Sequence, residues 1–375
     1  MSIYLDHAAS TPMHPSAVDA TQRMMKGCFG NPASVHSPGK AASLELETAR
    51  SVIATAIGAK ASEIVFTSGG SESNCLALHT VKGYASQGNH IIVSSIEHNS
   101  ILGFAKQLQN EGYLVSWLGV DTSGMVNVAA LASLIRPDTV LVSVMHANNE
   151  IGVVQPIAAI GALCRSRGIL FHTDACQSFL KESLDISSLG VDLVSLSGHK
   201  VGGPKGIGAL YVREGVRVTP LICGGDHESS RRGGTQNLAG AAGFAAAVAA
   251  WDQACVPRMR ELRDVFISLV REGISDVVVN GSIDQRLCNN IHLTFPGIDG
   301  QAMLKHLDAA GVFVSVGSAC DSKSLEPSHV LLAMGRSKLA SHQSLRFTLG
   351  QETTEQDIRE AARSVLETYQ SLIGS

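Results

Sequence analysis

The chain has 375 residues, 45% of them apolar and 17% charged, with 37 glycines. That is room for two or three domains around a large core, which excludes both a small stapled scaffold and a disordered chain. Its 29 basic and 33 acidic residues leave a formal charge of −4 with no basic run, so direct nucleic-acid binding lacks an electrostatic source.

In chain order, Met1 to Asp6 carries neither a basic n-region nor an apolar h-region, so export is not expected and the reading is cytoplasmic. A strand over 63–66 leads into Thr67-Ser68-Gly69-Gly70-Ser71-Glu72-Ser73 and then a helical run over 74–79. Short apolar runs at 91–93, 140–145, 169–172, 193–196 and 207–212 follow, separated in places by amphipathic stretches such as 128–135 and 156–167. This alternation predicts an α/β fold with a mainly parallel central sheet covered by helices, and it places chemistry beyond the carboxyl ends of the strands. Four polar clusters stand there: Glu97-His98, His146 to Glu150, His172 to Gln177, and Ser197 to Lys200. The most apolar stretch, 238–251, is Ala- and Gly-rich and too short for a spanning helix, so no membrane segment is expected. From about 256 the texture changes to a charged helix at 258–271, strand-like segments at 290–294 and 312–316, and a closing helix from Thr354, where Thr353-Thr354-Glu355-Gln356 resembles a capping box. The expected division is a large domain over 13–255 and a smaller α+β domain made of 1–12 and 256–375.

Two of these clusters support each other. Ser197-Gly198-His199-Lys200 has the spacing of a serine nucleophile motif, but the glycines and proline that follow forbid the helix such a serine needs, and neither phosphate-loop fingerprint is present. What remains is a lysine on a sharp turn at a strand end, either a solvated loop residue or a partly desolvated amine able to form a Schiff base. Asp174 lies 26 residues upstream (200 − 174), one strand–helix–strand step away. Pyridoxal phosphate needs a lysine for its aldehyde and a carboxylate at its pyridine nitrogen, and Lys200 and Asp174 offer that pair. Asp174 would otherwise cap a helix start. Gly70 and Ser71 either begin a plain Ser-capped helix or present backbone N–H groups and a hydroxyl to a phosphate. His98 is either structural or a flat ring beside a cofactor. Arg346 either grips a substrate carboxylate or makes a structural ion pair. Eight cysteines, at 28, 75, 164, 176, 223, 255, 288 and 320, contain no C-x-x-C, so no zinc or redox pair is expected. Cys320, in the small and polar Gly317-Ser318-Ala319-Cys320-Asp321-Ser322, is either a plain loop cysteine or an exposed one that a substrate could reach as a thiolate, whereas the other seven lie in apolar or helical contexts.

Taken together and in order, Gly69-Gly70-Ser71-Glu72-Ser73, Glu97-His98, His146-Ala147-Asn148-Asn149-Glu150-Ile151-Gly152, Asp174-Ala175-Cys176-Gln177, Ser197-Gly198-His199-Lys200 and Gly317-Ser318-Ala319-Cys320 resemble the cysteine desulfurases of the NifS and IscS type. The likeness runs from Tyr4-Leu5-Asp6, through Gly30-Asn31-Pro32-Ala33-Ser34, to Arg346-Phe347-Thr348-Leu349-Gly350. It implies an aspartate aminotransferase-like fold, a homodimer, pyridoxal 5'-phosphate, and a sulfurtransferase that takes sulfur from L-cysteine. Lys200 would hold the cofactor aldehyde and act as the base, Asp174 would face the ring nitrogen, Gln177 the ring hydroxyl, and His98 would stack on the ring within the catalytic set. Gly70, Ser71, Ser197 and His199 would bind phosphate, joined by Thr235 from the other subunit, while Asn149 and Arg346 would hold the substrate carboxylate. Cys320 would receive the sulfur as a persulfide for a sulfur-acceptor protein, either an iron–sulfur scaffold or a thio-modification protein. Gly70-Ser71 stands where the family commonly has Ala-Thr, and Gly233-Gly234 where it has Ser-Gly or Pro-Gly. The other readings are a selenocysteine lyase or related transaminase, which keeps the cofactor, and a sulfur-relay subunit that has lost catalysis.

Overall fold

The structure is a computed structural model, and residues 2–317 and 326–373 are described. Seven strands form the main sheet: β2 (Ile64–Thr67), β3 (His90–Ser94), β4 (Leu114–Leu118), β5 (Thr139–Ser143), β6 (Leu170–Asp174), β7 (Leu193–Ser197) and β8 (Gly208–Val212). Their spatial order is β2-β8-β7-β6-β5-β3-β4, and all neighbouring pairs are parallel except those made by β8, which runs against β2 and β7. The mainly parallel sheet read from the apolar runs is therefore present. Every residue of β3, β5, β6 and β7 is buried, because helices cover both faces. Alternation within the runs divides the burial: Ile92, Val142, Phe171 and Val194 enter one core, while Ile91, Leu141, Leu170 and Leu193 enter the other.

A third core joins Ile3 and Leu5 to residues from Cys255 onward. There β1 (Ile3–Tyr4) pairs in parallel with β11 (Val312–Phe313), and β10 (Asn290–Thr294) lies between β9 (Val278–Val279) and β12 (Ser344–Thr348), antiparallel to both. The helices Cys255–Gly273 and Glu355–Ile373 pack on this layer, with Phe266 against Phe347 at 4.9 Å between ring centroids. Three expectations shift here. The segment expected as a strand over 312–316 is regular only at Val312–Phe313, with Ser315 bridging to Arg346 beyond it. The capping box slides by one residue: Thr354 Oγ1 accepts the Asp357 N–H at 3.1 Å and Asp357 Oδ2 accepts the Thr354 N–H at 2.9 Å, so Asp357 rather than Gln356 closes it. Cys223 is exposed in an irregular segment rather than set in an apolar or helical one. Among the described residues no helix is long and apolar enough to cross a membrane.

Two buried polar groups carry testable consequences. Glu228 starts three consecutive residues with positive φ (Glu228 49°, Ser229 55°, Ser230 60°), a conformation uncommon for side-chain-bearing residues. Its carboxylate accepts from Arg50 Nη1 at 2.6 Å and Nη2 at 2.9 Å and from the Phe66 N–H at 2.8 Å. Removing it takes two charge-assisted bonds from a buried guanidinium that keeps Glu47 at 3.0 Å and the Ile64 carbonyl at 2.8 Å, so Glu228→Ala is expected to lower unfolding stability by about 2–3 kcal/mol in urea titration. His172 lies inside β6 between Ser143 Oγ on β5, 2.9 Å from Nδ1, and Ser195 Oγ on β7, 3.0 Å from Nε2. Burial pushes its pKa from 6.5 down to about 4. Between those values the unfolded chain binds the extra proton, so the contribution is complete above pH 6.5 and is lost as pH falls toward 4. The stability difference between pH 7.5 and 4.5 should shrink by about 2–3 kcal/mol in His172→Gln, measured by urea unfolding at both values. An unchanged difference would show that the ring does not control this window.

Candidate active site

The carboxyl ends of β2, β3, β5, β6 and β7 surround a cavity of about 190 Å³. Its walls include Gly70, Ser71, His98, Asn149, Asp174, Gln177, Ser197, His199, Lys200 and Arg346, ten residues singled out from the sequence. Thr235 is exposed and does not line it, and Cys320 lies outside the described residues.

Asp174 ends β6, where its Oδ1 accepts the Cys176 N–H at 2.9 Å and its Oδ2 accepts from Asn74 Nδ2 at 2.7 Å. The cap-like contact and the cavity position thus coexist on one carboxylate. Lys200 closes the short turn Gly198–Lys200 after β7, and its Nζ donates to the carbonyl oxygens of Ala8 and Ala9. Both acceptors belong to the N-terminal segment, so the lysine is held by backbone from the other end of the chain. The helix after β2 begins at Gly70, four residues earlier than the run expected from 74, and Gly69 at its start gives no side-chain cap. The first N–H groups of that helix therefore lack the usual internal partners, beside Ser71, Ser197 and His199 on the same wall. A Cβ at position 70 would meet Cys176 Sγ at 2.4 Å, so an alanine here requires the Cys176 side chain to shift.

His98 caps the next helix, Asn99–Asn110, and its Nδ1 accepts the Ser100 N–H at 3.1 Å, which assigns the proton of the neutral ring to Nε2. Burial, with Lys200 and Lys205 nearby, lowers the His199 pKa to about 4, so that ring is neutral at pH 7. Gln177 Nε2 donates to the Ala8 carbonyl at 3.0 Å. Arg346 realises its structural alternative and still lines the cavity: Nη2 bonds Asp6 Oδ1 at 2.8 Å, Nη1 bonds the Asn149 carbonyl at 2.8 Å, and Nε is buried without a partner.

These walls fit a flat phosphorylated pyridine aldehyde. Amide N–H groups and hydroxyls at one end suit a phosphate, a carboxylate suits a protonated ring nitrogen, and an amine suits the aldehyde. Ala8, Ala9, Asn74, Met145 and Cys176 also line the cavity and were not anticipated from the sequence as site residues. Asn74 offered a signal, lying one helical turn beyond Gly70 on the same face; the alanines act through carbonyl groups and offered none.

Comparison with known proteins is consistent along the whole length. The family model "Aminotransferase class-V" matches residues 3–360. A cysteine desulfurase IscS of Dictyoglomus turgidum is 45% identical over 361 residues, covering 95% of this chain and 91% of that protein. One of Methanosarcina thermophila is 43% identical over 378 residues, covering 99% and 93%. The solved structure of a NifS-like protein matches with a TM-score of 0.93 at 32% identity, covering 99% of this chain and 100% of that one. SspA in complex with cysteine matches with a TM-score of 0.84 at 36% identity, covering 93% and 99%.

Proposed function

Since the chain belongs to the cysteine desulfurases of the class V aminotransferase family, which depend on pyridoxal phosphate, we propose that it converts L-cysteine to L-alanine and passes the sulfur to Cys320. The observation that carries this reading is the shared cavity of Lys200 and Asp174, with the uncapped helix start at Gly70 on the same wall. When bound, the cofactor supplies an electron-accepting ring conjugated to the substrate Cα. Asp174 would keep a proton on the ring nitrogen, His98 would stack on the ring, and Gln177 would meet its hydroxyl. The amides of Gly70 and Ser71, the Ser197 hydroxyl and His199 would hold the phosphate, with Thr235 of a second subunit completing that end. Asn149 and Arg346 orient the substrate carboxylate, a role supported by the guanidinium lying at the cavity wall. The Lys200 amine removes the Cα proton.

The Cys320 thiolate then attacks the substrate sulfur: a sulfur–sulfur bond forms, the carbon–sulfur bond breaks, and its electron pair stays on the carbon skeleton, which is protonated to alanine. The sum is cysteine plus one thiol giving alanine plus one persulfide. We take the functional unit as a homodimer of chains divided into domains 13–255 and 1–12 with 256–375, the division supported by the separate core that joins Ile3 and Leu5 to residues beyond Cys255. The sulfur passes next to an acceptor protein, either an iron–sulfur scaffold or a thio-modification protein.

The test is to incubate the purified holoenzyme with L-cysteine and a reductant and to quantify products. Alanine and sulfide in equal amounts are expected. Turnover of selenocysteine with none of cysteine would overturn the assignment in favour of a lyase, and a colourless protein without turnover would favour a relay subunit.

A further inference from the structure

Lys181 has no part in the chemistry above, yet its surroundings are unusual for a lysine. It is 7% exposed, and its Nζ donates to the Gln177 carbonyl at 3.2 Å and the Lys200 carbonyl at 3.3 Å. The ammonium also lies 5.7 Å from the centre of the Trp251 ring. Three thiols face it: Cys176 after β6, Cys255 on the helix Cys255–Gly273, and Cys288 before β10. His7 of the N-terminal segment is a further titratable group near it, and burial, with the Lys181 cation adding to it, depresses that ring's pKa to about 4. Among the described residues no carboxylate forms an ion pair with Lys181. Burial brings its own pKa down to about 8, which leaves it mostly charged at pH 7. A buried ammonium without a counter-ion is costly, and the chain adds strain to place it. The preceding Leu180 has φ 64°, a left-handed conformation that is a genuine outlier for a bulky residue. Strain of this kind gathers where a functional arrangement is being fixed.

We propose that Lys181 is a positioning residue that sets the Lys200 amine and the Gln177 side chain through their backbone carbonyls, tying the turn after β6 to the turn after β7. This rests on the reading of Lys200 as the cofactor-bearing amine. One cation holds both residues that would flank the cofactor ring. Lys181 and Lys200 also line a second cavity, of about 270 Å³, on which Trp251 and His7 open. Two ammonium groups bordering one cavity disfavour each other's charged form, so the titration of the Lys200 amine is a readout of Lys181. Without the ammonium the buried Gln177 carbonyl and the part-buried Lys200 carbonyl lose their donor, and the turn carrying Lys200 is free to rotate away.

The test compares wild type with Lys181→Met and Lys181→Arg, using two readouts on the holoenzyme and one on the apoprotein. In Lys181→Met, kcat for L-cysteine should fall about 10- to 100-fold, the scale of a small displacement of a reacting group, with KM within about 2-fold. The pH midpoint of the cofactor's visible band should move upward. In the apoprotein, competitive acetylation followed by peptide mapping should show Lys200 less reactive at pH 8. Lys181→Arg, which keeps charge and donors, should recover most of each change. Wild-type kcat, band midpoint and labelling in Lys181→Met would overturn the inference. If that variant does not fold, Lys181→Gln beside Lys181→Arg gives the same comparison, and equal behaviour of the two would overturn it. Borohydride trapping separates the two levels: an adduct away from Lys200 refutes the site reading, whereas an adduct at Lys200 with unchanged titration in the variant refutes only the role of Lys181.

Discussion

Replacing Lys200 by alanine is expected to lower turnover of L-cysteine by about 10⁴-fold and to abolish the borohydride-stable adduct at position 200. The size follows from removing two roles at once, the covalent attachment of the cofactor and the base at the substrate Cα. The neighbouring lysines are poor substitutes. Lys205 is exposed, and Lys181 spends its ammonium on the Gln177 and Lys200 carbonyls. Among the described residues, Lys200 is the lysine that lines the cavity holding Asp174. The variant should still bind pyridoxal phosphate reversibly, since the helix start at Gly70 and the Asp174 carboxylate are untouched, and dialysis should remove it more readily than from wild type. Alanine assays with peptide mapping after borohydride check both parts. Near-normal turnover, or an adduct mapped to another lysine in the unmodified enzyme, would sink the assignment.

The sheet was legible because burial on both faces writes itself as near-continuous apolar runs, and each run at 91–93, 140–145, 169–172, 193–196 and 207–212 falls on a strand. Nine of the ten cavity residues stand in clusters that one rule placed beyond the carboxyl ends of such strands, while Arg346, inside β12, was marked by its alternation with apolar neighbours. Groups acting through backbone escaped, as the Ala8 and Ala9 carbonyls show, because any residue type supplies a carbonyl. The Asp6–Arg346 pair escaped for another reason: it joins the two ends of the chain across 340 positions, and local pattern holds no information on such a contact. Local chemistry also has a resolution of about one residue. At the last helix Thr353 is taken up by Gly350, its N–H donating to the Gly350 carbonyl at 3.2 Å and its hydroxyl accepting the Gly350 N–H at 2.9 Å, so the box forms one residue later between Thr354 and Asp357.

Cys320→Ser is expected to keep the visible cofactor band and lose persulfide formation, with alanine production down on the order of 10³-fold or more. A serine hydroxyl is far less acidic and less nucleophilic toward sulfur than a thiolate, so the carbon–sulfur bond of the substrate loses its attacking partner. Proton removal at Cα belongs to Lys200 and does not need the thiol. The variant should therefore still exchange the Cα hydrogen of L-cysteine for deuterium in heavy water. The other thiols cannot easily take over. Burial pushes Cys164 up to about 12 and Cys288 up to about 11, and it raises Cys176 well above the ordinary thiol range. Cys223 is the rival by exposure, yet it does not line the Lys200 cavity. Cys223→Ser should accordingly leave turnover and persulfide labelling unchanged. Normal alanine release from Cys320→Ser, or loss of the persulfide in Cys223→Ser instead, would move the sulfur-accepting role away from position 320.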